Sequence, residues 1–261
     1  MRIEFWKYQG AGNDFIFLDN FTGKYDELTI LQIAKLCDRR FGIGGDGLIK
    51  INTDKNADFE IDYYNADGTK SFCGNGARCS VRFVNENILK RNLYTFNAID
   101  GIHDAQLEGE NISLEMKDVS QVEIGDNGTF VLQTGSPHFI KFNKDIDNAD
   151  LVAYGKSIRY NELYREKGVN VNLVEELGEN IIGIRTYERG VEDETLSCGT
   201  GITAAAIAYA VKNEIFGDNH IFIKAKGGDL EVKFFTKDTK SFNKIRLIGP
   251  AEYVFKGEMD V

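Results

Sequence analysis

Two short segments carry the clearest chemical signal in this sequence. Cys73-Gly74-Asn75-Gly76 and Cys198-Gly199-Thr200-Gly201 lie 125 positions apart, and each sets a thiol directly before glycines and a helix-forming stretch. A cysteine at a helix start meets the positive end of the helix dipole and backbone N–H groups with no acceptor inside the helix. Both effects pull a thiol pKa down from about 8.5. The same N–H groups make an anion site suited to a carboxylate. A single base that removes and returns a proton on one face of a carbon restores the starting stereochemistry. Inversion without reorientation takes a group on each face, one deprotonated and one protonated. Cys73 and Cys198, facing each other across a cleft, are therefore expected to exchange a proton at the α-carbon of an amino acid. They would titrate as a coupled pair, with base and acid exchanged between the two substrate isomers.

Other polar residues suit the same substrate. His138 is placed to orient or tune a thiol, and Glu188 to receive an ammonium group. Arg189 offers a planar fork for a second carboxylate. Asn13, Asn65 and Asn170 sit among glycines and aspartates, where an amide can donate to a carboxylate and accept from an ammonium; read alone, each is an ordinary turn residue. Cys37 and Cys79 read as small buried hydrophobes, and His103 and His220 as structural. Gly42-Ile43-Gly44-Gly45-Asp46-Gly47 lacks the frame of a dinucleotide-binding unit and reads as a turn.

The elements that must position these residues occur twice. Gly12-Asn13-Asp14-Phe15-Ile16 lines up with Ser136-Pro137-His138-Phe139-Ile140 at a separation of 124, Asp46-Gly47-Leu48 with Val171-Asn172-Leu173 at 125, and Tyr64-Asn65 with Tyr187-Glu188 at 123. Four landmarks in one order indicate an internal duplication and two similar domains. Alternating runs predict strands at Ile3–Tyr8, Phe15–Asp19, Ile112–Met116, Phe130–Gln133, Ile181–Thr186 and Ile221–Lys224. Helices are expected at Ala77–Lys90 and Ile202–Glu214, the second apolar on nearly every side and so buried. The expected fold is α+β: two pseudo-symmetric domains, each a curved sheet wrapped around a central helix. The first would hold residues 1–118, completed by 249–261 as Pro250–Phe255 returns to its sheet. The second would hold 119–248, with the boundary inside the polar stretch Lys117–Gly128.

Bulk composition narrows the function. A net charge of −10 over 261 residues argues against a nucleic-acid surface. The charged, alternating start and the lack of a long apolar run predict no signal peptide and no membrane span, hence a cytoplasmic protein. The four cysteines show neither a secreted disulfide framework nor a CxxC metal knuckle, so no metal is expected.

Over essentially its full length the sequence resembles the diaminopimelate epimerases. The matching segments are Gly10-Ala11-Gly12-Asn13-Asp14-Phe15, Asn65-Ala66-Asp67-Gly68, Cys73-Gly74-Asn75-Gly76-Ala77-Arg78-Cys79, Gly135-Ser136-Pro137-His138, Val169-Asn170-Val171, Tyr187-Glu188-Arg189-Gly190 and Cys198-Gly199-Thr200-Gly201. The resemblance implies interconversion of LL- and meso-2,6-diaminopimelate on the route to lysine, without pyridoxal phosphate or any other cofactor, by a protein that closes over its substrate and is usually a homodimer. It implies Cys73 and Cys198 as the acid/base pair, with Gly74, Asn75, Gly199 and Thr200 holding the reacting carboxylate. Glu188 and the backbone of Arg189 would take the reacting ammonium. Asn65, Asn170 and the Arg189 side chain would hold the distal end, Asn13 would line the pocket, and His138 with Glu188 would modulate the thiols. This chain departs from the common pattern in carrying Ser136 where many members have Asn, Gly47 where some have Gln, and a segment from Asn65 to Cys73 shorter by one residue.

Three other readings fit parts of the pattern. A proline racemase-like enzyme shares the paired cysteines, but Tyr187-Glu188-Arg189-Gly190 and three amides favour a substrate with two amino-acid ends. A thiol redox protein could join Cys73 to Cys198, though that bond would block the site. A ligand-binding relative without turnover would bind the same amino acid and exchange no proton.

Overall fold

Alternation writes the first strand: along β1 (Arg2–Gly10), Ile3 and Phe5 turn inward while Arg2, Glu4 and Trp6 are more open. In the computed structural model, which describes residues 1–261, the chain groups into two units, 1–114 with 249–261, and 115–248. The change of unit after Leu114 precedes the expected polar boundary at 117–128. Unit 1 continues with β2 (Asn13–Asp19), α1 (Ile30–Cys37), β3 (Gly47–Asn52), β4 (Phe59–Asn65), α2 (Gly74–Asn87), β5 (Leu93–Ala98), β6 (Gly101–Glu108) and β7 (Asn111–Glu115). Neighbouring strands are antiparallel except at β2–β3 and β4–β5, which are parallel. A parallel step needs a crossover, and α1 and α2 supply the two crossovers.

Unit 2 repeats the pattern. It comprises β8 (Val122–Gly125), β9 (Thr129–Gln133), β10 (Pro137–Phe142), α3 (Leu151–Arg159), β11 (Asn170–Gly178), β12 (Ile181–Glu188), β13 (Asp193–Thr195), α4 (Gly199–Lys212), β14 (Gly217–Ala225), β15 (Gly228–Thr236) and β16 (Phe242–Pro250), whose last two residues belong to unit 1. Its parallel steps are β10–β11 and β12–β14, crossed by α3 and α4. The short β13 pairs with the end of β12. Unit 2 opens with β8 against β9; in unit 1 that outer place beside β1 is taken by β17 (Glu252–Asp260), the last strand of the chain.

Each sheet wraps one helix. α2 packs on β1, β2, β3, β4 and β17, and α4 on β9, β10, β11, β12, β14 and β15. Ile202 through Val211 of α4 are all buried, as an all-round apolar helix must be. Around α2, the rings of Phe17 and Phe83 stack at 5.2 Å and Tyr8 meets Phe17 edge-on at 5.3 Å. The fold is thus α+β with two pseudo-symmetric domains, and no helix is long and apolar enough to cross a membrane.

Two expectations need correction. Both central helices begin earlier than Ala77 and Ile202: α2 starts at Gly74 and α4 at Gly199. The glycines read as breakers, but in a first turn their N–H groups have no helical acceptor in any case, so they begin a helix as well as end one. The strand equivalences also shift. Phe15 pairs with Gly47 and Leu48 with Tyr64, as His138 pairs with Asn170 and Val171 with Tyr187. Phe15 therefore corresponds to His138, and Gly47 to Asn170, at the 123-residue separation of the two tyrosines, rather than at 124 or 125. A one-residue slip along a strand swaps its faces, so the difference decides which side chains lie beneath each cysteine motif.

Because Ile207 is fully buried on α4, Ile207→Ala is expected to lower unfolding stability by about 2–5 kcal/mol, measured by denaturant titration.

Candidate active site

The two cysteine motifs fold alike. Cys73 is the N-cap of α2 with φ −133° and ψ 116°, and Cys198 is the N-cap of α4 with φ −125° and ψ 107°. The first helical bonds run from Ala77 N–H to the Cys73 carbonyl (2.8 Å) and from Ile202 N–H to the Cys198 carbonyl (2.9 Å). The N–H groups of Gly74, Asn75 and Gly76, and of Gly199, Thr200 and Gly201, thus precede the intrahelical ladder and make an anion-binding turn beside each thiol. No acidic residue lies in either first turn. None of the four cysteines is in a disulfide. Burial pushes the Cys79 thiol up, and that of Cys37 to about 11, so both stay protonated.

In unit 1 an ordered polar chain runs along the Cys73 helix start. The Asn75 amide donates to Asn13 Oδ1 (2.6 Å), the Asn13 amide donates to Asp46 (2.9 Å), and Asp46 is paired with Arg39 (2.8 Å). Asp14 is partly buried, which opposes its charge, yet Arg39 and Lys7 outweigh burial and hold its carboxyl below the usual range. Asn65 closes its own loop: its amide donates to Thr69 Oγ1 (3.0 Å) and its carbonyl accepts from Ser71 (3.2 Å). Gly47 has no room for a side chain, since a Cβ would collide with the Tyr63 ring and the Tyr64 carbonyl. An apolar pocket lined by Ile49, Ile61, Tyr63, Phe72 and Ala77 adjoins Cys73. His103 stacks on Phe72 at 4.4 Å and bonds Asp100.

Arg78 was not singled out by sequence reasoning. It is fully buried on α2, donates to Asn75 Oδ1 (2.7 Å), and leaves Nη1 without a partner. Burial disfavours its charge, while the neighbouring Cys79 and Cys73 thiols favour it. An arginine set between Ala77 and Cys79, early in a helix expected to lie at the centre of its domain, was the available signal.

In unit 2 the neighbours of the thiol are different. Cys198 Sγ lies 3.5 Å from the Thr200 hydroxyl, which is 2.8 Å from His138 Nε2. His138 is fully buried; its Nδ1 meets Asn172 Oδ1 at 2.9 Å, and the Asn172 amide donates to Thr186 (2.6 Å). The Asn170 amide lies 3.4 Å from Nε2, and Asn170 Oδ1 accepts from the Arg189 backbone N–H (2.8 Å). Glu188 accepts from Thr195 (2.9 Å), and burial raises its carboxyl against that bond. The Arg189 guanidinium donates to the Lys167 carbonyl (2.8 Å). Gly168, at φ +74°, lets the Arg189 side chain pass where a Cβ would strike it. His220 bonds Glu231 away from these groups. Asn172 and Thr186 also escaped sequence reasoning, although Asn172 shares a strand face with Asn170.

The floors beneath the two helix starts thus diverge. A Cβ on Gly76 would sit 3.1 Å from Ile49 and 3.5 Å from Phe15, whereas one on Gly201 would sit 2.8 Å from the Asn172 amide and 3.2 Å from His138. The local backbone is duplicated, but the chemistry under it is apolar on one side and polar on the other.

This fold has solved relatives. A phenazine biosynthesis protein of the PhzF family from Bacillus anthracis superposes with a TM-score of 0.75 at 17% identity over all of both chains. A hydroxyproline epimerase from Agrobacterium vitis superposes with a TM-score of 0.69 at 11% identity, over 98% of this chain and 92% of that one. Sequence is more specific. The family model described as diaminopimelate epimerase matches residues 5–126 and 130–254. The diaminopimelate epimerase of Flavobacterium psychrophilum is 48% identical over 97% of this chain and 99% of its own length, and that of Chlorobaculum tepidum is 38% identical over 95% and 98%. The chain is an isomerase of the epimerase type, on the fold that these structures share. It belongs to the diaminopimelate epimerase family.

Burial moves His138 from 6.5 to about 4, the Asn172 bond opposing and the Arg189 charge adding to the shift. Between those values the unfolded chain binds more protons than the folded one, so stability is complete above pH 6.5 and falls as pH drops toward 4. His138→Gln is expected to flatten that part of the stability–pH curve, measured by urea unfolding across the interval.

Proposed function

We propose that this chain interconverts LL- and meso-2,6-diaminopimelate without pyridoxal phosphate, on the route to lysine, by proton transfer between two thiols and one α-carbon. The observation that carries the reading is the pair of cysteine N-caps with nearly equal backbone angles, each followed by helix-start N–H groups. One thiolate removes the α-proton; the other thiol delivers a proton to the opposite face. Gly74, Asn75, Gly199 and Thr200 bind the reacting carboxylate through backbone N–H groups, where the charge that develops on loss of the proton is stabilised. Glu188 and the Arg189 backbone receive the ammonium beside that carbon. A carboxylate that burial disfavours gains most from a cationic partner, which suits Glu188 to this role.

Asn65, Asn170 and the Arg189 side chain hold the distal amino-acid end, with Asn13 lining the site. The bonds from the Asn13 amide to Asp46, and from the Arg189 backbone N–H to Asn170, support these roles by fixing one side of each amide. His138 and Glu188 modulate the thiols. The accompanying proposal is a cytoplasmic homodimer, supported by the acidic, span-free chain and by family resemblance.

The test is solvent deuterium incorporation into LL-diaminopimelate by the reduced protein, followed by NMR and chiral separation. Deuterium at one α-carbon together with the meso isomer is expected, and a folded, reduced protein that exchanges nothing would sink the reading. Cys73→Ser and Cys198→Ser should each lower epimerisation by roughly 10²–10⁴-fold, the usual range for a lost acid or base, with far-UV circular dichroism unchanged. Full activity in either variant would overturn the two-thiol mechanism.

A further inference from the structure

We propose that Thr186, Asn172, His138 and Thr200 form a relay, buried from Thr186 to His138, that holds His138 as its Nδ1–H tautomer and joins Nε2 to the Cys198 thiol through the half-buried Thr200 hydroxyl. Asn172 and Thr186 are then positioning residues for that thiol. The proposal rests on the reading of Cys198 as an acid/base group and deepens it.

Hydrogen-bond logic fixes the tautomer. Asn170 Oδ1 accepts from the Arg189 backbone N–H, which can only donate, so the Asn170 amide nitrogen faces His138 Nε2. An amide nitrogen can only donate. Nε2 is therefore the acceptor and Nδ1 carries the hydrogen, which in turn requires Asn172 to present Oδ1 at 2.9 Å and its amide to Thr186 at 2.6 Å. The Thr200 hydroxyl, 2.8 Å from an accepting Nε2, donates to it; its oxygen is then the acceptor for the Cys198 thiol at 3.5 Å. The direction of every bond follows from two donors that cannot be reversed.

That direction gives the relay a function. When the thiol proton passes to the Thr200 oxygen as the Thr200 proton passes to Nε2, the S–H and O–H bonds break while new O–H and N–H bonds form. The result is a thiolate and an imidazolium, with net charge unchanged and no other reactant. The elements around the ring bring Leu132 from β9, Asn170 and Asn172 from β11, and Cys198, Thr200 and Gly201 from the start of α4. Burial is the main factor that opposes the imidazolium and the Arg189 charge adds to it, while the Asn172 bond favours it; Glu188, next to Arg189 in sequence, is bonded to Thr195. The positions that correspond to His138, Asn172 and Thr186 are Phe15, Ile49 and Tyr63, and Asn75 stands in place of Thr200. The histidine, asparagine and threonines of the relay therefore stand on the Cys198 side.

Two measurements test it, neither needing turnover. The chain has three histidines, so ¹⁵N-histidine NMR, assigned with His138→Gln, resolves the ring: a protonated Nδ1 and bare Nε2 are expected in the wild type, and the opposite tautomer would overturn the relay. In a Cys73→Ser background, the pH profile of iodoacetamide alkylation at Cys198, read by mass spectrometry, reports the thiolate. Thr200→Val should raise the midpoint by about one pH unit, a tenfold change in thiolate at fixed pH, and Thr200→Ser should restore it. Asn172→Asp, which sets an anion on Nδ1–H and favours imidazolium, should lower the midpoint, whereas a merely structural Asn172 would not lower it. A midpoint unmoved by Thr200→Val overturns the relay. A protein that gives the expected tautomer and midpoints but epimerises nothing supports the relay and sinks the reaction assignment.

Discussion

The structure depends on one constraint: a parallel strand step must be bridged by a crossover, and in each unit one of the two crossovers is a helix capped by a cysteine. Strands β4 and β5, and β12 and β14, run parallel, so the chain has to leave the sheet and return. Burying α2 and α4 against their sheets fixes where each helix begins. A buried helix start concentrates N–H groups and dipole in a setting with few competing waters, where they act on a thiol and on a carboxylate far more strongly than at an exposed end. The chemistry of both motifs follows from that placement.

Duplication kept this backbone device and let its surroundings diverge. The packing of Phe15 and Ile49 under Gly76 asks only for shape, while His138 and Asn172 under Gly201 ask for satisfied hydrogen bonds, because an orphaned polar group in such a place would cost about 1–3 kcal/mol. The polar floor meets that demand through Thr186, Thr200 and Asn170. Arg78 is the counterpart feature in unit 1, a buried cation bonded to the asparagine of its own motif. Neutral imidazole on one side and guanidinium on the other give two similar helix starts different electrostatic characters.

Much of the fold was legible in the residues. Alternation located β1, β9 and β14, because one face of each strand is largely buried and the other more open, whereas β2 and β12 showed as short apolar runs buried on both faces. The all-round apolar stretch from Ile202 announced a buried helix. Helix starts were misread because Gly in a first turn and Gly as a breaker look alike in one dimension. The strand equivalences were misread by one or two residues because the eye matches similar letters, Phe15 to Phe139, whereas the sheet matches ladder positions. Arg78, Asn172 and Thr186 stayed hidden for a related reason: each acquires chemical meaning only from partners 3 to 34 residues away in sequence that the sheet or helix brings within hydrogen-bonding distance.

The sequence by itself determined the class of chemistry, since two thiols before helix-starting glycines, an internal repeat and the segments shared with one family all survive in the order of the letters. Tertiary structure alone decided which atoms meet. The tautomer of His138 is set by Asn170 and Asn172, and Asn170 is itself oriented by the backbone of Arg189, 19 residues farther along. Hydrogen bonds have direction and a reach of about 3 Å, and neither property is written in the spacing of residues along a chain.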